Sequence, residues 1–362
     1  MGNRVMLGSS FLFIIFFIFN LAFLEAQVAP PIYVFGDSLV DVGNNNYLLL
    51  SIEKAILPHY GIDFPTKKPN GRFSNGKNAA DLIAEKLGVP TSPPYLSLIS
   101  LVKNNKNSSF LDGVSFASGG AGIFDGKNDL QSIPFTKQVD YYSQVHEQMT
   151  QQIGAPSLQK RLSKSIFAVV IGSNDIFGYF NSKDLQNKST PQQYADSMVT
   201  SLKVQLQRVY NYGARKFVIV GVSAIGCCPA LRLKNETECA VEANLLSVKY
   251  NDGLKSMMKG WQLEKNDIRY SYFDTYAALQ DLIQNPSSYG FAEVKGACCG
   301  LGKLNAQIPC LPISKICFNR QNHVFWDPFH PTEAAARIFV DRIFNGPAKY
   351  TSPINMKQLL PL

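Results

Sequence analysis

Short apolar runs that alternate with longer amphipathic stretches are the feature that most restricts the fold of this chain. The runs are rich in β-branched and aromatic residues, and nearly continuous apolar runs suit strands covered on both faces. Alternation with helices is typical of a mostly parallel sheet. We therefore predict one α/β domain, a three-layer α/β/α sandwich around a sheet of about five strands. The candidate strands are Ile32 to Phe35, Gly113 to Ala117, Ile166 to Ile171, Phe217 to Val222 and Ile268 to Phe273.

The candidate helices lie between and after these runs. Their apolar residues recur at helical spacing, and most of them end near Gly or Pro. They are Lys77 to Leu87, Phe135 to Ile153, Gln192 to Tyr212, Cys239 to Leu263 and Thr332 to Phe344.

Composition excludes several classes of protein. With 46% apolar and 17% charged residues the chain is typical of globular proteins, not of disordered, collagenous or coiled-coil ones. The net charge of +8 is spread along the sequence, so it gives no reason to expect nucleic acid as a partner.

The first 26 residues have the layout of a secretory signal peptide. Arg4 precedes the unbroken apolar run Phe11 to Phe19, and small Ala26 ends the stretch. A retained membrane anchor is the alternative, but Asn20 interrupts a segment that is already shorter than the roughly 20 residues of a membrane span. We expect cleavage near residue 26, with residues 27–362 forming one secreted domain without a transmembrane segment.

Secretion gives meaning to the cysteines and to the sequons. Seven cysteines lie between residues 227 and 317, and most of them should form disulfides in an oxidising compartment, with at least one left over. Asn107, Asn187 and Asn235 each begin an N-glycosylation sequon in a polar stretch, which predicts surface loops. Neither a C-x-x-C pair nor a zinc-protease or P-loop motif is present, and we expect no metal and no cofactor.

Residues able to carry chemistry follow the predicted strands. Ligands bind beyond the carboxyl ends of parallel strands in such sheets, so the same edge should collect these residues. A serine, a glycine-rich turn and an asparagine follow the first three strands, and a D-x-x-H block lies near the carboxyl terminus. The blocks are Gly36-Asp37-Ser38, Ser118-Gly119-Gly120, Gly172-Ser173-Asn174-Asp175 and Asp327-Pro328-Phe329-His330.

This set of residues fits hydrolytic acyl transfer. A serine hydroxyl becomes nucleophilic when an imidazole takes its proton, and a carboxylate orients that imidazole, roles that suit Ser38, His330 and Asp327. Pro331 suits the first turn of a helix, which would place His330 just before it. The oxyanion would be held by the Ser38 N–H, the Asn174 amide and one glycine N–H, with Gly119 preferred and Gly120 the alternative. Asp37 and Asp175 are expected to shape their turns.

The blocks together resemble the plant secreted esterase/lipase branch of the GDSL, or SGNH, hydrolase family. Further segments carry the resemblance, among them Gly71-Arg72-Phe73-Ser74-Asn75-Gly76, Cys298-Cys299-Gly300 and the Phe325 to Thr332 block. It implies a flavodoxin-like fold, extracellular location in the cell wall or apoplast, and Ser38, Gly119, Asn174, His330 and Asp327 as the functional residues. The family usually has one cysteine where Cys227 and Cys228 stand. We therefore expect Cys228 to be unpaired and Cys227 to be bonded to Cys239.

The predicted activity is hydrolysis of carboxylic esters, of lipids or of other acyl compounds, through an acyl-enzyme. Two alternatives remain at this point. The same acyl-enzyme can pass its acyl group to an alcohol, which is acyl transfer, or the fold can serve as an inactive binding protein. Substrate selectivity depends on loops whose shape cannot be deduced from these motifs.

Overall fold

A six-stranded sheet forms the centre of the fold. The computed structural model describes residues 29–103, 109–125 and 130–360. The strands lie in the order β2-β1-β3-β4-β5-β10, in which neighbours from β2 to β5 are parallel and β10 is antiparallel to β5. Their bounds are Ile32–Gly36 (β1), Gly113–Ser115 (β2), Ile166–Val170 (β3), Lys216–Val220 (β4), Arg269–Phe273 (β5) and Thr351–Pro353 (β10).

Helices connect the strands and continue beyond the sheet. They are Ala79–Leu87 (α1), Tyr95–Lys103 (α2), Phe135–Ile153 (α3), Ala155–Lys164 (α4), Ser173–Asn181 (α5), Lys183–Lys188 (α6), Pro191–Asn211 (α7), Val241–Glu264 (α8), Thr275–Gln284 (α9), Glu333–Asn345 (α10) and Met356–Leu359 (α11).

Alternating side chains of the strands pack into two separate cores. Tyr33 and Phe35 of β1 belong to a core with residues of α3, α7 and α8, whereas Ile32 and Val34 belong to a second core with residues of α1 and α10. Side chains alternate between the faces of a strand, so a strand that is apolar at every position buries both faces. This arrangement confirms the predicted α/β/α layers.

The prediction of five strands was correct in kind and incomplete in number. All five lie in the sheet, with bounds that differ by one or two residues. The sixth strand, β10, was missed because it has only three residues and contains Pro353, which is tolerated at a sheet edge. Helix α3 has the predicted bounds, while α2, α4, α5, α6, α9 and α11 were not predicted.

Three disulfides stabilise the carboxyl-terminal part of the chain. They join Cys227 to Cys239, Cys298 to Cys317 and Cys299 to Cys310, and Cys228 is a buried free thiol. The predictions for Cys227, Cys239 and Cys228 are thereby confirmed.

The other two disulfides lie in a segment near the carboxyl terminus that contains four short strands. These are Glu293–Ala297 (β6), Cys299–Gly300 (β7), Lys315–Ile316 (β8) and His323–Phe325 (β9).

Among the residues that the structure describes, every helix is too short or too polar to cross a bilayer. The predicted signal peptide, residues 1–26, lies outside the described residues.

Candidate active site

Ser38 lies in the turn that directly follows β1. Strand β1 ends at Gly36, which has a φ of +152°. A Cβ at Gly36 would lie 2.2 Å from the carbonyl oxygen of Val170 in β3, so only glycine allows this close approach of the two backbones. The chain can therefore turn sharply at the carboxyl edge of the sheet, and the turn presents Ser38 there.

His330 and Asp327 lie in the loop between β9 and α10. Asp327 Oδ1 accepts the backbone N–H groups of Phe329 and His330, both at 2.9 Å, which folds the loop into a compact turn. Helix α10 begins at Glu333 and is capped by the side chain of Thr332, which accepts the Ala335 N–H. Pro331 therefore precedes the helix instead of lying in its first turn as predicted, because Thr332 is the better capping residue.

One chain of hydrogen bonds joins the three predicted catalytic side chains. The Ser38 Oγ lies 2.7 Å from His330 Nε2, and His330 Nδ1 lies 2.8 Å from each carboxylate oxygen of Asp327. With its proton on Nδ1, the imidazole donates to the carboxylate and accepts from the serine hydroxyl. The structure thus brings Ser38, His330 and Asp327 together, as the spacing of base and nucleophile in serine hydrolases requires.

Asp327 is buried, with 2% of its surface exposed. Burial by itself would raise the pKa of its carboxyl, but the adjacent His330 and the hydrogen bonds from that ring and from the Phe329 and His330 amides outweigh it and lower the pKa below its usual value. The lowered pKa keeps the Asp327 carboxylate ionised, so it provides a negative charge beside His330.

Two aromatic residues that the sequence analysis did not assign support this pair. The ring of Phe73 lies 5.0 Å from the His330 ring, centroid to centroid. The hydroxyl of Tyr60 donates to Asp327 Oδ2 at 2.9 Å. Phe73 belongs to the quoted segment Gly71 to Gly76, so the motif marked its neighbourhood without revealing its contact.

Asn174 lies in the first turn of helix α5, which follows strand β3. Its side-chain Nδ2 donates to the carbonyl oxygen of Ala121 at 2.9 Å, which fixes the orientation of the amide. An amide nitrogen carries two N–H groups, so the second can donate to a ligand. Asn174 lines the same cavity as Ser38 and His330.

The predicted glycine donor has a different environment. The N–H of Gly119 donates to Asp41 Oδ2 at 2.9 Å, and a Cβ at this position would lie 2.6 Å from the ring of Phe73. Gly120 lines the cavity with Ser38 and has a φ of +75°. Gly119 thus stays a prediction as the oxyanion donor, and the geometry favours the alternative, Gly120.

Buried carboxylates shape the turns that carry these donors. Asp175 accepts the backbone N–H groups of Ile123 and Phe124, and Asp41 accepts those of Gly43, Asn44 and Gly119. Burial raises the pKa of both carboxyls to about 6. The turn-shaping role predicted for Asp175 is consistent with these bonds.

Asp37 is a third buried carboxylate, next to Ser38 in sequence. Its Oδ1 accepts the Leu39 N–H at 3.0 Å, whereas its Oδ2 is buried without a hydrogen-bond partner among the described residues. Burial raises the pKa of Asp37 to about 7.

A cavity of about 1120 Å³ opens beside Ser38 and His330. Most of its lining is apolar, with some polar groups such as Ser38, Asn174 and His330, the usual composition of a site for an apolar ligand. Aromatic and aliphatic side chains that line it include Phe124, Phe177, Leu185, Tyr194, Leu231 and Phe329.

The three predicted glycosylation sites differ in their structural location. Asn235 is exposed in a turn, as predicted, and its side chain accepts the N–H and the hydroxyl of Thr237. Asn187 is exposed but lies in helix α6, so the prediction of a loop was wrong there, because the polar stretch is long enough for a short capped helix. Asn107 lies outside the described residues.

Within the described ranges, no three His, Cys, Asp or Glu side chains are grouped closely enough to hold a metal ion.

Comparison with known proteins supplies matches over almost the whole chain. A family model described as GDSL-like Lipase/Acylhydrolase matches residues 32–343, from the start of β1 into α10. The GDSL esterase/lipase At5g55050 of Arabidopsis thaliana is 53% identical over 338 residues, which cover 91% of this chain and 90% of that protein. The GDSL esterase/lipase At1g29660 of the same plant is 39% identical over 348 residues and 93% of each chain.

Among solved structures, a catalytic mutant of an acetylxylan esterase from Geobacillus stearothermophilus matches 87% of this chain and 93% of its own. The TM-score is 0.38 and the sequence identity 13%.

Proposed function

Because this chain belongs to the GDSL-like lipase/acylhydrolase family, we propose that it is a secreted serine hydrolase that cleaves carboxylic esters through an acyl-enzyme. The observation that carries the proposal is the hydrogen-bonded chain from Ser38 through His330 to Asp327 at the wall of an apolar cavity. Ser38, His330 and Asp327 are its proposed catalytic residues.

Acylation begins with attack of Ser38 Oγ on the ester carbonyl carbon. His330 Nε2 takes the hydroxyl proton as the new C–O bond forms, and Asp327 stabilises the resulting imidazolium. The tetrahedral intermediate then expels the alcohol oxygen, which receives that proton from His330. The products of this half are a free alcohol and an ester between the acyl group and Ser38.

Deacylation repeats the sequence with water. The water oxygen attacks the acyl carbon while His330 Nε2 takes a proton from the water. His330 then returns this proton to Ser38 Oγ as the carboxylic acid leaves. The negative charge on the carbonyl oxygen in both halves would be stabilised by the backbone N–H of Ser38, the Asn174 amide and one glycine N–H, Gly119 or Gly120. Each such donor is worth about 3 to 4 kcal/mol of barrier.

The apolar lining of the cavity supports an ester with an apolar acyl group. Burial of a hydrocarbon chain against aromatic and aliphatic side chains such as Phe177 and Leu231 stabilises the bound ester by about 0.8 kcal/mol for each CH₂. We expect acyl chains of several carbons to be hydrolysed at least as fast as acetate from the same alcohol. A series of aryl esters of graded chain length measures this, and strict preference for acetate would contradict it.

Secretion is supported by the three disulfides, since such bonds form and persist in oxidising compartments. Cleavage of residues 1–26 and glycosylation at Asn107, Asn187 and Asn235 are part of the proposal. Mass spectrometry of protein isolated from plant culture medium would test both modifications.

Replacement of Ser38 by alanine tests the proposed activity. We expect S38A to lower kcat for a short-chain aryl ester by several powers of ten, because the nucleophile is lost. S271A is the matched control: Ser271 is buried in β5, and its hydroxyl has no hydrogen-bond partner among the described residues. S38A activity within about tenfold of the parent would remove the assignment.

A further inference from the structure

Tyr60 makes a contact with the proposed catalytic residues that lies far outside every predicted site block. It precedes Asp327 by 267 residues, and its hydroxyl donates to Asp327 Oδ2 at 2.9 Å. Tyr60 is 8% exposed. The contact is therefore a buried hydrogen bond to a charged group, the kind that contributes most to position and energy.

The two carboxylate oxygens of Asp327 have different donors. Oδ1 accepts the N–H groups of Phe329 and His330 from its own loop, whereas Tyr60 supplies a donor to Oδ2 from a distant segment. Both oxygens also lie 2.8 Å from His330 Nδ1. With donors on both oxygens, rotation of the carboxylate about its Cβ–Cγ bond would break a hydrogen bond in either direction.

The Tyr60 ring is itself held in place by aromatic neighbours. It packs edge-to-face against Phe73 and Trp326, with centroids 6.3 Å away in both cases. Phe73 in turn packs against the His330 ring. Tyr60 and Phe73 therefore pack together and contact both members of the pair, Tyr60 through its hydroxyl on Asp327 and Phe73 through its ring on His330.

The segment that carries Tyr60 and Phe73 is fastened on both sides of the Asp327–His330 loop. Before β9, Arg320 forms a two-pronged ion pair with Asp63 at 2.5 and 2.9 Å. After the loop, Asn75 Oδ1 accepts the N–H of Glu333 at the start of α10, at 2.9 Å. These contacts before and after the loop fix the position of the Tyr60 segment relative to Asp327.

We infer that Tyr60 is a positioning residue for the proposed ester hydrolysis, one that holds the Asp327 carboxylate in line with His330 and shares its negative charge. The inference rests on the proposed function. It also gives a purpose to the segment from Tyr60 to Gly76, which contributes no nucleophile, base or oxyanion donor to that mechanism.

Charge sharing has a consequence for the pH dependence of catalysis. A hydrogen bond from Tyr60 stabilises the negative charge of Asp327, so the carboxylate attracts the His330 imidazolium less strongly. Without the hydroxyl, the Asp327 carboxylate attracts the imidazolium more strongly. The midpoint of the acidic limb of the pH–rate profile should then move to higher pH. A purely structural role for Tyr60 would not produce this change.

Apart from Tyr60 itself, the titratable groups near the pair are the same in parent and variant. Burial, followed by the nearby Asp327 charge, raises the pKa of Tyr60 well above its usual value, so its hydroxyl stays protonated in the parent. Burial raises the pKa of the Cys228 thiol to about 12, so the thiol stays protonated in both proteins. Asp37, whose pKa burial raises to about 7, also interacts with His330. Because Asp37 titrates in both proteins, the comparison must be made between two complete profiles.

The test compares Y60F with the parent and with Y350F in the full chain. Tyr350 is the matched control, a buried tyrosine whose hydroxyl donates at 2.7 Å to a different carboxylate, that of Asp281. We expect Y60F to lower kcat for a soluble aryl ester about tenfold, the usual order for loss of a hydrogen bond to a charged group, with little change in KM. The midpoint of its acidic limb should move to higher pH, while Y350F should keep the parent profile.

The outcomes separate this inference from the proposed function. If S38A is as active as the parent, the proposed function fails and the test of Tyr60 loses its basis. If S38A is inactive but Y60F and Y350F share the parent kcat and pH profile, the positioning role is wrong. Loss of Y60F activity with an unmoved acidic limb would leave Tyr60 only a packing role and would equally overturn the inference.

Discussion

Ser38 Oγ and His330 Nε2 lie 2.7 Å apart although 292 residues separate them in the sequence. The sheet explains this proximity. Ser38 follows strand β1, an interior strand of the sheet, at its carboxyl edge, and the loop after β9 returns His330 to the same edge from the other end of the chain. A hydroxyl and an imidazole held in this way are ready for proton transfer without rearrangement.

Asp327 is expected to be needed for rate and not for folding. In D327N the side chain can no longer balance the charge of a protonated imidazole, and its amide can favour the wrong tautomer of His330. Loss of this carboxylate in a serine triad costs on the order of 10³- to 10⁴-fold in kcat. Steady-state kinetics measure the effect, with D252N on the exposed face of α8 as control. Activity of D327N within about threefold of the parent would contradict the role.

Asn174 is expected to act in the transition state. N174A removes the amide that is oriented by Ala121, and loss of one oxyanion donor lowers kcat by about 10²- to 10³-fold. KM should change little, because the negative charge on the carbonyl oxygen develops only after substrate binding. A variant with raised KM and unchanged kcat would show that Asn174 binds the substrate and does not stabilise the oxyanion.

Cys228 should be the free thiol and should be inaccessible in the folded protein. It is 3% exposed, and burial raises its pKa to about 12, so little thiolate is present at neutral pH. Titration with a chromogenic disulfide reagent should detect one thiol per chain in denaturant and almost none in buffer. Rapid reaction of the native protein would contradict the buried placement, and no thiol in denaturant would show that Cys228 is bonded.

Asp37 should make stability depend on pH. Its pKa rises from 3.8 to about 7 on folding, so the folded protein binds the extra proton between these values. The associated stability is complete below about pH 4 and is lost as the pH rises through 7. D37N removes this loss while its side-chain oxygen can still accept the Leu39 N–H.

Urea unfolding with intact disulfides measures that effect at pH 5 and pH 8. The free energy of unfolding of D37N minus that of the parent should be larger at pH 8 than at pH 5 by about 3 kcal/mol, because only the parent loses stability over this range. An equal difference at the two pH values would show that the Asp37 carboxyl does not titrate in this range.

The sheet, the layers and the proximity of Ser38 to His330 could be predicted because they follow from patterns along the chain. Continuous apolar runs mark buried strands, and the carboxyl ends of parallel strands meet at one edge. Tyr60 could not be found in this way, since its contact with Asp327 joins two loops and has no periodicity. The choice between Gly119 and Gly120 also depends on a distant side chain, Asp41, which takes the N–H of Gly119.

Short and polar elements were the other failures. Strand β10 has the sequence Thr-Ser-Pro and exists because it can pair with the exposed edge of β5. Helix α6 is stabilised by Ser182, whose side chain caps it, in a stretch whose polarity suggested a loop. In both cases tertiary pairing or a single capping side chain outweighs the weak preference of the local sequence for a strand or a helix.

Covalent labelling with a fluorophosphonate probe tests the central claim most directly, because the probe reacts with a serine only when a neighbouring base activates it. Peptide mapping of the folded parent protein should find one phosphonate per chain, on Ser38. H330A and urea-unfolded protein should remain unlabelled under the same conditions. A label on another serine, or equal labelling of Ser38 in H330A, would contradict the proposed pairing of Ser38 with His330.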